Sequence, residues 1–443
     1  MPDLWNFPYF ELEFNKQGNI VDPQEVQQAL KGIVQAGTTD LLVMSHGWNN
    51  DMDEARRLYR VFFERVRNVL DTHTMPGLRG RTFAILGVLW PSKKFGEAEL
   101  TAGGAASAGS SVESVRLMEQ LDELHGVFDA PDADAKLTRA KQLVAQLDDK
   151  RSARKEFTEL LRTLLSQSPE QEGEVPQQFF TLPGDVIMER LSTPQPLAVP
   201  TGRTGSGGAA AVGSGGAASG SAAGLGNLFG GVRAGARNLL NFLTYYQMKE
   251  RAGIVGKQGL YQVLRKLQQQ QSTIKLHLIG HSFGGRLVTA ATHGPEGQPS
   301  LTVSSLTLLQ AAFSHYGFAL DYDGSNDGLF RTVVVEHKVK GPILISHTPN
   351  DRAVGLAYPI ASRITGQIAS GLGDPNDPFG GIGRNGAQKT PEAINGAFQL
   401  VGGTYTWEAG KVYNLNADTV ITSHSDIAKN EVAYALLSAV ATV

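Results

Sequence analysis

The stretch Leu276-His-Leu-Ile-Gly-His-Ser-Phe-Gly-Gly-Arg286 joins an apolar run to a serine set between glycines. The run itself, Ile274 to Gly280, is short and apolar, as strands buried on both faces of a parallel sheet are. From Arg286 to Thr292 the pattern turns helical, so Gly280-His-Ser-Phe-Gly284 is a G-x-S-x-G motif inside a strand, a turn and a helix. Small residues are needed on either side of the serine because the backbone before and after so sharp a turn would collide with larger side chains. Such a turn lifts the Ser282 hydroxyl to the top of the sheet, at a helix N-terminus that favours developing negative charge. Two readings compete, a nucleophile and a plain turn; the strand-turn-helix context and the further Gly285 favour the nucleophile.

Working outward, the same buried-strand pattern recurs at Asp40 to Ser45 (DLLVMS), Phe83 to Trp90 (FAILGVLW) and Pro342 to Ser346 (PILIS), with further strands expected at Leu301 to Leu309 and Lys411 to Leu415. The last alternates and is expected nearer an edge. Helical patterns at Asp51 to Leu70, Gly259 to Gln271 and Ile427 to Val440 separate several of these strands. The expected fold is therefore α/β, with a mostly parallel central sheet and helices on both faces. The alternation breaks once, between Pro91 and about Arg251, where charged helical patterns (112–127 and 134–166) precede a Gly/Ala/Ser-rich run at 202–226. This divides the chain into a first core part (1–92), a mainly helical lid or cap insertion (93–250) and a second core part (251–443). Within Leu225 to Leu243, apolar residues recur at helical spacing opposite Arg233, Arg237, Asn238 and Asn241. Such a stripe either packs on a core or meets a lipid interface.

With 443 residues, 41% of them hydrophobic and 19% charged, the chain falls among globular proteins able to bury a core. A formal net charge of -3 argues against a nucleic-acid partner, which needs a basic surface to neutralise phosphates. The absence of cysteine excludes disulfides, thiolate metal sites and a cysteine nucleophile. The start, MPDLWNFPYFELEF, has neither the basic opening nor the apolar core of a signal peptide, and no uninterrupted apolar run is long enough to span a membrane. The expected location is cytoplasmic, or exported without a cleaved leader.

A serine hydroxyl needs a base to take its proton and a carboxylate to orient that base. His46-Gly-Trp-Asn-Asn50 after one strand, Leu89-Trp-Pro-Ser92 after the next and the GHSFGG turn resemble the α/β-hydrolase superfamily, in particular bacterial serine lipase/esterase-like hydrolases. The likeness covers about residues 38–92 and 251–440, and it implies the chain order nucleophile, acid, histidine. Asp351 follows the PILIS strand, at the strand end where such sheets present ligand-binding groups; as a bare Asn350-Asp351 pair it also suits a helix cap. Asp321, Asp323 and Asp327, in the loop DYDGSNDG, are the competing acids. Among ten histidines, His424 follows the last expected strand, whereas His277 lies within one and His46 and His281 belong to the turn motifs as pocket or supporting residues. His73, His125, His293, His315, His337 and His347 are followed by no suitable late strand. An oxyanion is held by two backbone N–H groups, one from the residue after the nucleophile, Phe283. The resemblance implies the amide of Trp48 as the second, with Gly47 letting the backbone turn inward.

The implied chemistry is hydrolysis of a small-molecule ester or acyl lipid through an acyl-enzyme on Ser282. Three alternatives stay open: an amidase with the same triad, an inactive hydrolase-fold binding module, and a secreted antibacterial lipase. DYDGSNDG and Asp374 to Gly381 (DPNDPFGG) space oxygen ligands as calcium loops do, but neither carries the closing glutamate of an EF-hand. No metal and no organic cofactor is expected, and oligomeric state is not legible.

Overall fold

Strands β1 (Asp3–Leu4), β2 (Phe7–Glu13), β3 (Asp40–Ser45), β4 (Phe83–Leu89), β5 (Lys275–His281), β6 (Ser305–Leu309), β7 (Ile343–His347), β8 (Ala393–Ala397) and β9 (Val412–Asn416) form one sheet in the order β1-β2-β4-β3-β5-β6-β7-β9-β8. The computed structural model describes residues 3–48, 50–92, 110–165, 176–193, 231–351, 361, 363–366 and 379–443. Every neighbouring pair is parallel except the β1–β2 hairpin. That hairpin turns on Trp5 (φ 56°) and Asn6 (φ 64°), the two left-handed residues that a tight type I′ connection requires.

Strands β3, β4 and β5 are apolar on both sides because both sides are covered. Leu41, Val43, Ala84, Leu86, Leu276 and Leu278 point into one hydrophobic cluster, while Leu42, Met44, Ile85, Leu89 and Ile279 alternate with them into another. The helix Met52–Thr72 seals the second face with Tyr59, Phe62, Phe63 and Val66, alongside Val432, Leu436 and Leu437 of the helix Asn430–Val440. It starts on a capping box in which Asp51 and Glu54 satisfy each other's backbone amides. The helix Phe283–His293 covers the opposite face.

The chain leaves β3 for β4 on one side and then returns to β5 on the other, so the strand order reverses between β3 and β5. At such a reversal the loops after the two strands diverge to opposite faces and leave a crevice at their carboxyl ends. Ser45 pairs with Gly280 in this register, which carries residue 47 level with residue 282.

Between β4 and β5 the described chain is helical, at Ser110–Glu123, Ala133–Leu143, Arg151–Arg162, Gln177–Thr181, Gly184–Ser192 and Val232–Ile254. A π-helical turn, Val255–Leu260, continues the last of these into Tyr261–Gln270. Leu121, Leu137, Phe157, Phe179 and Leu240 belong to the same hydrophobic cluster as the sheet residue Leu278, so inserted helices and sheet share one core. Of the amphipathic stripe, Val232 onward is described. Leu239, Leu240 and Leu243 are buried, and so is Asn238 on the supposed polar side, where its amide donates to Leu191 O. Arg233 pairs with Asp148 in the turn before the helix Arg151–Arg162, and Arg237 with Glu113 of the helix Ser110–Glu123. This part of the stripe faces protein; Leu225, Leu228 and Phe229 lie outside the described residues. No helix among the described residues is long and apolar enough to cross a membrane.

Candidate active site

Ser282 sits at φ 56°, ψ −124°, a conformation that costs a non-glycine residue roughly 1–3 kcal/mol and persists only where the surroundings impose it. The surroundings are the glycines. A Cβ on Gly280 would lie 2.5 Å from Gly285 Cα, one on Gly285 2.5 Å from Ala311 Cβ, and one on Gly284 would strike Ser45 O and His46 O. Only side chains of zero size let strand, turn and helix meet this closely. The serine is then pinned by its own backbone: its N–H donates to Leu309 O (3.0 Å), and its carbonyl accepts from Gly285 and Ala312 (3.0 Å each).

The loop after β3 closes on the serine as the register requires. A Cβ on Gly47 would come 2.5 Å from Ser282 Cβ and 3.0 Å from its Oγ, so glycine there leaves room for the hydroxyl. Fully buried His46 braces this loop. It stacks on Trp90 (5.5 Å between rings), accepts from Trp90 N–H at Nε2 (3.2 Å), and its carbonyl accepts the indole N–H (3.1 Å). Ser92 Oγ lies 2.9 Å from Gly47 O and 3.0 Å from Asn50 O, and Tyr59 Oη accepts from His46 N while donating to Val88 O (2.5 Å). The motifs HGWNN and LWPS are thus one interlocked unit. Trp48 and Phe283 have rings 6.0 Å apart, and Tyr245 of the helix Val232–Ile254 touches both. Among the described residues neither backbone amide, of Trp48 or of Phe283, donates a hydrogen bond, which leaves two donors unspent beside the serine. Gly47→Ala, whose Cβ would press on Ser282 Cβ and Oγ and force the loop carrying the Trp48 amide to shift, should reduce any chemistry at Ser282 by roughly 10²–10³-fold, the scale on which displacement of one backbone donor is felt. Steady-state rates measured alongside circular dichroism separate this from unfolding.

Asp351 and His424 meet, although 73 residues separate them: Asp351 Oδ2 is 2.8 Å from His424 Nδ1, with the carboxylate fully buried. Their loops are latched together. Thr348 Oγ1 donates to Asp418 Oδ1 (2.7 Å), Asn350 Nδ2 reaches the carbonyls of Asp418 and Ile421 (3.2 Å each), and Ala417 N–H donates to His347 O (2.9 Å). His281 holds His424 from the other side, its Nε2 lying 2.9 Å from the His424 carbonyl and its ring 4.8 Å from the imidazole. Among the described residues no hydrogen bond joins Ser282 Oγ to His424.

The competing acids lie elsewhere. Asp327 accepts from Asp321 N–H, and Asp323 accepts from the amides of Ser325 and Asn326, so these carboxylates fold their own exposed loop. His277 is bonded at both nitrogens, to Ser305 Oγ (2.8 Å) and Asp40 Oδ1 (3.0 Å), as a buried strand histidine should be. No group of three or more metal-ligating side chains occurs among the described residues, and most of DPNDPFGG lies outside them.

Burial pushes His46 down to about 4 and His281 down to about 3, the latter with help from nearby His424 and despite its bond to the His424 carbonyl. Both are neutral at pH 7. The unfolded chain takes up these protons near pH 6.5 and the folded chain does not, so stability is complete above that value and falls as pH drops toward the folded values. Each histidine contributes about 1.4 kcal/mol per pH unit inside that window. Urea midpoints are therefore expected to be flat above pH 7 and to fall steeply between pH 6 and 4.

The chain matches no family model, no curated protein and no solved structure with which it was compared. Geometry alone has to carry its function. The bracing by Trp90 and Tyr59, the Thr348/Asn350–Asp418 latch and the contact of Tyr245 with Trp48 and Phe283 were not anticipated from sequence, because each joins residues that only the pairing of strands or the packing of helices on them brings together.

Proposed function

We propose that this protein is a serine hydrolase of the α/β-hydrolase type that cleaves carboxylic esters through an acyl-enzyme. The observation that carries the proposal is the Asp351–His424 bond at 2.8 Å, with the same histidine held through its carbonyl by the residue preceding a strained, glycine-flanked serine. A helix cap would not need Asp351 buried against an imidazole, and the turn at Ser282 joins the end of β5 directly to the first residue of a helix, the context in which such a serine serves as a nucleophile. The position of both glycine-flanked loops at the reversal of strand order supports the same reading.

In this mechanism His424 carries its proton on Nδ1, donated to the Asp351 carboxylate, and presents a bare Nε2 to the serine. The Ser282–His424 contact closes when substrate binds, as such contacts tighten in the reacting complex. Ser282 Oγ attacks the ester carbonyl as its proton passes to Nε2, and the oxyanion is taken by the amides of Trp48 and Phe283 at the N-terminus of the helix Phe283–His293. The carbonyl re-forms, the alkoxide leaves with the proton from Nε2, and water repeats the cycle to release the acid and free the serine. His281, neutral because it is buried, does not compete for the proton.

The described part of the helix Val232–Ile254 presents its apolar residues to protein, so the proposal takes in carboxylic esters, acyl lipids among them, without calling on that part of the helix as a lipid-binding face. A series of p-nitrophenyl esters from acetate to palmitate, with the matching anilides, tests it. Hydrolysis of esters with burst kinetics is the expected result. Cleavage of anilides alone would make the protein an amidase, and no turnover of any member would sink the proposal.

A further inference from the structure

The base lies in poorly regular chain. His424 belongs to the segment between β9, which ends at Asn416, and the helix that begins at Asn430, and this segment contains no other helix or strand. A side chain there needs an external reference if it is to stay within a few tenths of an ångström of a productive position. Asp351 supplies one at Nδ1, but a single bond leaves the ring free to pivot about it. The second reference comes from the residue next to the serine. His281 is buried, occupies the last position of β5, and places Nε2 2.9 Å from the His424 carbonyl with its ring 4.8 Å from the His424 ring.

A carbonyl can only accept, so the contact requires a proton on His281 Nε2. Nδ1 is buried with no hydrogen-bond partner, as the bare nitrogen of that tautomer must be when nothing around it donates. Resting on the hydrolase reading above, we propose that His281 is a positioning residue which, as the Nε2–H tautomer, ties the main chain of the base directly to the nucleophile elbow. Ser282 and His424 are then referenced to the same strand end, and the distance between them does not depend on the loop's own stiffness. The titratable groups acting on His281 are His424 and His46, both of which disfavour its protonation. A cationic His281 would keep the donor but repel the imidazolium that forms on His424, so the neutral ring suits the role.

The test uses the full chain with His281→Phe, which keeps a ring and deletes the donor, and His281→Gln, whose amide nitrogen falls close to the position of Nε2. Two readouts are taken. The first is kcat and KM on the best p-nitrophenyl ester. The second is the low-field proton resonance of His424 Nδ1–H against Asp351, which needs no turnover. The expected result is a roughly 20- to 100-fold fall in kcat for His281→Phe with KM within about threefold, the scale of a misplacement of under an ångström. The resonance should broaden in parallel, and His281→Gln should restore both to within about fivefold of the parent. An unchanged kcat and resonance in His281→Phe would overturn the inference. Equal losses in both variants together with a lowered melting temperature would overturn it too, because the ring would then be acting as packing. Should the parent fail to react with a fluorophosphonate while its resonance still responds to His281→Phe and recovers in His281→Gln, the hydrolase reading fails and the positioning role stands.

Discussion

Replacing Ser282 with alanine is expected to lower ester turnover by roughly 10⁵–10⁶-fold, the scale on which triad nucleophiles fail. The substitution removes the oxygen that must bond to carbon, and a histidine with nothing to deprotonate cannot compensate. Folding should survive. Alanine keeps the Cβ that already sits against Gly47, and the backbone contacts from Ser282 to Leu309, Gly285 and Ala312 use no side-chain atom. Alanine at φ 56° is as strained as serine, so the melting temperature should hardly move. Ser282→Gly should raise it, because glycine adopts that conformation at little cost. A protein that becomes more stable when its activity is abolished carries strain held for function. A parallel loss of fold and activity in both variants would instead make Ser282 a structural turn residue.

Asp351→Asn is expected to cost roughly 10⁴-fold in kcat with KM little changed. The amide matches the carboxyl in shape, so the fully buried site can hold it without a cavity. What changes is the proton. An amide N–H directed at His424 Nδ1 forces the ring's proton onto Nε2, where the base must be bare to accept from serine. Asp351→Asn combined with His424→Ala should be no slower than His424→Ala alone, since both act on one proton transfer. Activity that survives Asp351→Asn but falls with substitution of Asp321, Asp323 or Asp327 would move the acid to the earlier loop and remove the geometric basis of the account.

Much of the sheet was legible because burial on both faces writes a continuous apolar run, and β3, β4, β5 and β7 appear within a residue or so of their expected bounds. Strand β6 is shorter than expected, since Leu301 to Ser304 precede it outside regular pairing. Where one face lacks cover the signal fades. Strand β2 mixes Phe7, Phe10 and Leu12 with Pro8, Glu11 and Glu13, and β8, AINGA, has four exposed positions of five. The tight turn at Ser282 was legible through sterics: glycines at 280, 284 and 285 announce contacts that any Cβ would break. Asp351 could not be separated from its rivals by sequence, because the choice depends on β7 and β9 being neighbours, and that pairing joins segments about seventy residues apart. The buried polar side of the helix Val232–Ile254 was equally hidden. Its arginines look like a solvated face until Asp148 arrives from a turn and Glu113 from another helix.

The most direct measurement is the site of covalent modification. After reaction with a fluorophosphonate and digestion with trypsin, the peptide Leu276 to Arg286 should carry a single adduct, located by fragmentation on Ser282, with one equivalent bound per chain. An adduct on a different serine, or labelling of Ser282→Ala to the same extent as the parent, would contradict the account.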